Sequence, residues 1–178
     1  MRHRFENHDL VTERRSQMID VTGDVLDVVE RSEVRIGMAL VYSPHTTCAV
    51  LINEPEDGFI SDFEEMLERL VPAGEGAYYR HDDLSVRTQG IEEDTAEFPN
   101  GHSHCRSGIL SSSQTIPIVD GRLTLGQWQR IFFCELDRSR HRKVFIQVIG
   151  EWPPPPPRFP LSKRSEGARD RRTSASPR

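Results

Sequence analysis

The chain has 178 residues and a formal net charge of −5, a length that suits one domain with a real core. No apolar run reaches membrane-spanning length, and MRHRFENHDL at the N-terminus lacks the apolar stretch of a secretory signal, so neither a transmembrane helix nor a leader is expected. Cys48, Cys105 and Cys134 are odd in number and form no CxxC pair, which argues against a disulfide framework and for a reducing, cytoplasmic setting.

Residues 5–12 are a strand candidate. Thr22 is an N-cap candidate, and Val25, Leu26, Val28 and Val29 give a short helix its apolar face. GMALVYS and TCAVLIN read as strands on either side of Pro44. Phe59, Phe63, Met66, Leu67 and Leu70 fall at i, i+4, i+7, i+8 and i+11, one stripe of a second helix that Pro72 stops. Residues 73–99 carry little periodicity and read as loop. Asp120-Gly121 between two β-rich runs is a hairpin signal. Residues 127–136 alternate as a strand, with Gln129, Ile131, Phe133 and Glu135 on one face, and residues 143–150 form the last strand. The fold class is α+β: a mainly antiparallel sheet with two principal helices packed on it.

Residues 1–151 make up the domain. Five prolines, Pro153 to Pro157, follow Trp152 and suit a polyproline II spacer. Residues 152–178 then read as a disordered, Pro-rich and then basic tail, with seven Lys/Arg against two acids. The domain before it therefore carries −10. Such a surface disfavours nucleic acid, which wants clustered cations.

The candidate chemistry is carried by histidines. His45 sits between two strands, either as a turn histidine held by local hydroxyls or as a ligand facing a cleft, with Asn53 and Glu54 at the end of the next strand. His81 adjoins Asp82 and Asp83, and a carboxylate beside an imidazole can fix its tautomer. His102 and His104 share a face if their segment is extended and diverge by about 200° if it is helical. Cys105 then points elsewhere and reads as a small hydrophobe. Imidazoles from separate segments can build an open zinc-type site. Ser111, Ser112 and Ser113 with Gln114 read as a polar loop, there being no phosphate-loop pattern. Trp128 with Gln129 is either core plus a strand polar or a stacking wall with an amide. Glu135, among apolar neighbours, needs either a partner such as Arg106 or Arg130, or a role as general base.

HTTCAVLINEPEDG, SDFEEMLERLVP, YRHDD, NGHSHCRSGIL and IPIVDGRLTLGQWQRIFFCELD, in that order, closely resemble the YjbQ-like family, whose members are described as secondary thiamine-phosphate synthase enzymes. The resemblance spans residues 5–151. It implies a compact α+β domain, a symmetric oligomer, most often a homotrimer, and a pocket lined by histidines. His45, Asn53, Glu54, His81, His104, Trp128, Gln129 and Glu135 match family motifs, whereas His102 falls where members vary. The implied activity joins hydroxymethylpyrimidine diphosphate to a thiazole phosphate and releases pyrophosphate, as a weak activity.

The resulting expectation assigns His45, His81 and His104 to a divalent metal, zinc ahead of magnesium. Glu135, Glu54 and Gln129 are expected to be catalytic, and Asn53, Trp128, Asp82 and Arg106 to hold a small phosphorylated substrate. The competing expectations are a metal-dependent hydrolase or lyase acting on another small phosphorylated molecule, and a non-catalytic oligomeric binding module whose tail is the working part.

Overall fold

The structure is a computed structural model that describes residues 1–74, 76–91 and 98–152. The expected tail from residue 153 onward lies outside the described residues. Among them the order is β1 (Arg2–Val11), β2 (Met18–Asp20), α1 (Thr22–Ser32), β3 (Ile36–Tyr42), β4 (Cys48–Asn53), α2 (Asp57–Leu70), a 3-10 turn (Arg80–Asp82), α3 (Gly101–Ile109), β5 (Ser113–Val119), β6 (Arg122–Leu123), β7 (Arg130–Glu135) and β8 (His141–Glu151).

The strands form two antiparallel sheets rather than one. Five pair in the order β1-β8-β3-β5-β6 and three in the order β2-β7-β4. Val144, Ile146 and Val148 of β8, Ala39 and Val41 of β3, and Ile116 and Ile118 of β5 line the inner face of the larger sheet. They meet Val25, Val28 and Val29 of α1 and Val50, Ile131 and Phe133 of the smaller sheet. The opposite face of the smaller sheet, with Ala49, Phe132 and Cys134, packs on Leu67 of α2. Strand β7 is therefore the doubly covered one, and Ile131 to Glu135 are all buried. Strand β8, which reads apolar on both faces, buries only alternate residues.

Local chemistry sets the element ends. Asp20 Oδ1 accepts from Thr22 N at 2.8 Å, while Thr22 Oγ1 accepts from Ile131 N, tying the start of α1 to β7. Glu56 caps α2 by accepting from Gly58 N and Phe59 N, both at 2.7 Å. Asp120 and Gly121 both adopt positive φ, 52° and 77°, as a two-residue hairpin of the I′ kind requires. A third helix, α3, joins the two expected.

Candidate functional site

Helix α3 answers the question posed by the HxH spacing. Gly101–Ile109 is helical, so His102 and His104 diverge. His102 turns inward and is buried. Ser103 Oγ donates to Leu136 O at 2.7 Å and so accepts from His102 Nε2–H at 2.9 Å. Burial, with Arg15 and Arg106 nearby, lowers the pKa of His102. His104 turns outward, onto His81.

Asp82 organises this corner. Its Oδ1 accepts from Asn100 N at 2.9 Å and Gly101 N at 2.8 Å, the first donors of α3. It lies 3.2 Å from His81 Nδ1. The carboxylate thus caps a helix 18 residues away and fixes His81 with Nδ1–H toward it, leaving Nε2 as an acceptor. Burial pushes the Asp82 carboxyl up, but the two backbone donors and His81 outweigh it, and the net shift is down. Gly101 permits the approach, since a Cβ there would lie 2.4 Å from Tyr79 Cβ. The rings of His81 and His104 stack at 4.4 Å with a 36° tilt. Burial and then the neighbouring His81 lower the His104 pKa. His81 and Asp82 open onto a cleft also lined by Leu84, Arg87, Phe98 and Pro99.

His45 is placed differently. Its Nε2 accepts from Lys143 N at 2.9 Å, and its ring lies edge-on to Phe133. A neutral imidazole that accepts at Nε2 carries its proton on Nδ1, so neither nitrogen has a lone pair for a metal. The expectation that His45 shares an ion with His81 and His104 is corrected on that ground. Among the described residues no group of three or more His, Cys, Asp or Glu is placed to hold a metal ion.

Glu135 is fully buried, and its carboxylate is saturated. Arg142 Nε donates at 2.6 Å and Nη2 at 2.8 Å, with Thr12 Oγ1 and Asp137 N completing the set. The partner is Arg142, not Arg106 or Arg130. No lone pair faces a cavity, so Glu135 is an anchor rather than an acid–base group. Arg106, expected to touch substrate, is also fully buried. It donates from Nε and Nη2 to Val71 O and from Nη2 to Glu68, locking α3 to the end of α2.

The remaining candidates lie elsewhere. The β4–β7 register pairs Cys48 with Glu135 at one end and Asn53 with Arg130 at the other. Five residue steps of strand separate those ends, about 16 Å. Asn53, Glu54, Trp128 and Gln129 sit at the second end, and His45 with Glu135 at the first. Trp128 is 66% exposed. Gln129 lies in a turn, its Oε1 accepting from Gly126 N, so it does not share a cavity with Glu135. Two acidic and basic partners escaped the sequence reading. Asp137, buried beside His102 and His104, accepts from Arg140 at 2.8 Å, and Arg142 holds Glu135. Their only signal was the run ELDRSRHR, whose charges directly follow a buried strand.

A two-sheet α+β domain with imidazoles gathered at the N-terminus of its third helix defines a recognisable class. The profile described as UPF0047 protein YjbQ-like matches residues 6–151, and the chain belongs to that family. A UPF0047 protein of Methanothermobacter thermautotrophicus is 40% identical over 142 residues, 80% of this chain and 89% of that one. The UPF0047 protein YugU of Bacillus subtilis is 33% identical over 78% of this chain and 94% of its own. Among solved structures, a YbjQ-like protein of unknown function from Sulfolobus solfataricus superposes with a TM-score of 0.73 at 26% identity, covering 84% of this chain and 98% of that one. An uncharacterised YjbQ/UPF0047 protein from Clostridium acetobutylicum gives 0.68 at 34% identity, covering 81% and 99%. No helix among the described residues is long and apolar enough to cross a membrane.

Proposed function

We propose that the chain is an enzyme acting on small phosphorylated molecules, of the secondary thiamine-phosphate synthase type. The observation that carries this is the His81–His104 pair, with Asp82 orienting His81, beside a cleft that Arg87 also lines. In the coupling, the pyrimidine methylene loses its C–O bond to pyrophosphate and gains a C–N bond to the thiazole nitrogen. The leaving pyrophosphate needs cationic and N–H partners. Arg87 brings a guanidinium to the cleft wall, Phe98 an apolar surface, and His81 Nε2 an acceptor of fixed direction.

A divalent ion, zinc ahead of magnesium for imidazole donors, is part of the proposal. His81 and His104 would hold it, with substrate oxygens completing its shell, and it would neutralise charge on the leaving group. We also propose a homotrimer in which Asn53, Glu54, Trp128 and Gln129 of one protomer complete the histidine corner of its neighbour, since one chain holds these groups at opposite ends of β4.

The test is direct. The untagged full chain is supplied with both substrates, with and without zinc or magnesium, and thiamine phosphate is measured. Product that disappears in H104A and after chelation supports the reading. No product, together with hydrolysis of another small phosphate ester, transfers the site to the hydrolase alternative.

A further inference from the structure

His45 lies outside the stacked pair, and the structure gives it a defined protonation state. The Lys143 N–H is a backbone donor with no acceptor role, so the ring nitrogen it meets at 2.9 Å must offer a lone pair. That nitrogen is Nε2, and the proton of the neutral ring therefore sits on Nδ1. The surroundings keep the ring neutral. Burial, then Arg142 and to a lesser degree Arg140, lower its pKa, while Glu135 and the hydrogen bond with Lys143 oppose them, and the net shift is down. Glu135 is already spent on Arg142 through two hydrogen bonds, which also fix the start of β8 and with it the Lys143 amide.

The ring is half-buried, and no protein acceptor meets its Nδ1–H among the described residues. The charged side chains around it are Arg142 on β8 and Glu135 on β7, which pair with each other, and Arg140 in the β7–β8 loop, which pairs with Asp137. An N–H left without a protein acceptor suits an oxygen acceptor of a ligand, not a metal ion.

We propose that His45 is a neutral hydrogen-bond donor, through Nδ1–H, to a phosphate or pyrophosphate oxygen of the substrate, with Lys143 N as the group that sets its tautomer. A neutral imidazole in this role donates without giving up its proton, so it can hold an oxyanion as charge develops there. The choice of a phosphorylated ligand rests on the proposed function, whereas the tautomer and the exclusion of metal at His45 do not.

The experiment uses the untagged, 15N-labelled full chain near pH 7, with histidine ring nitrogens read by long-range proton–nitrogen correlation. The His45 signals are assigned by their loss in H45N. The expected pattern is protonated Nδ1 and unprotonated Nε2. Equimolar zinc should leave both unchanged, and inorganic pyrophosphate should shift the Nδ1 signal. H45F removes the donor, whereas H45N keeps an amide donor near the Nδ1 position. Pyrophosphate affinity should fall about tenfold or more in H45F and less in H45N. An Nε2–H tautomer, a zinc-induced shift at His45, or silence toward pyrophosphate overturns the inference. If H45F fails to fold, the wild-type spectrum and H45N decide alone. None of these signals requires turnover. A chain inactive in thiamine coupling that still shows them refutes the proposed activity and leaves the role of His45 standing.

Discussion

Without the Glu135 carboxylate, the Arg142 guanidinium would stay buried with only Thr47 Oγ1 as side-chain acceptor. A broken buried pair leaves an uncompensated charge, so E135A should cost about 3–5 kcal/mol, and the paired replacement E135L/R142M far less. Urea unfolding of the three variants checks this, and equal losses would mean the pair is solvated. Cysteine reactivity tests the same region. Burial, with Glu135 close by, pushes the Cys48 thiol up to about 12. Burial also raises that of Cys134, whereas Cys105 is exposed. A disulfide reagent at pH 8 should titrate Cys105 alone in the native chain and all three thiols in urea. A second reactive thiol in the native state would contradict the burial of the β4–β7 seam.

Helix α3 depends on a residue far from it in sequence. In D82A, Asn100 N and Gly101 N lose their acceptor, which should cost about 0.5–2 kcal/mol. Because the folded Asp82 carboxyl titrates below its ordinary value, its stabilising effect is present above about pH 4 and fades as pH falls through the folded value. D82A should therefore flatten the acid limb of the stability profile, read by circular dichroism from pH 2 to 6. An unchanged limb would show that Asp82 is not a cap. In G101A the new methyl would meet Tyr79, and a further loss of about 1–3 kcal/mol is expected.

These contacts explain what was legible. The stripe Val25, Val28, Val29 and the alternation in GMALVYS encode burial locally, so α1 and β3 could be read directly. The segment GHSHCRSGI has almost no apolar periodicity. Its helix is imposed by Asp82 at one end and the Arg106 clamp at the other, and neither contact is visible in spacing. The alternation around Trp128 was read too far, because the Gly126–Gln129 turn delays β7 to Arg130. Glu135 was rightly seen to need a partner, but Arg142 lies on the next strand, and only strand register identifies it. The histidines stand out in the sequence by their motifs, but their grouping depends on side-chain direction, which a sequence does not carry.

At the scale of the whole molecule, the outer face of the larger sheet carries an exposed apolar patch. Phe5, Ile36, Met38 and Val119 are each at least half exposed, and Tyr42 and Phe145 continue the patch. Strands β1, β8, β3 and β5 run side by side, so these residues form one surface of the kind that partners cover. Light scattering should give three chains for the wild type and a smaller species for M38K, with α+β circular dichroism retained. The site supplies the sharper measurement. His104 lies on α3, whereas Trp128 lies beyond the far end of the β4–β7 ladder. If neighbouring protomers complete each other's sites, H104A and W128A are each inactive alone, but mixed trimers regain function. With random mixing, a site works when one chain supplies the histidine and its neighbour the tryptophan, so about one quarter of sites recover. If each site lies within a single chain, every mixed trimer stays inactive. The mixture therefore separates the two arrangements by activity alone, provided subunit exchange is first shown by mass.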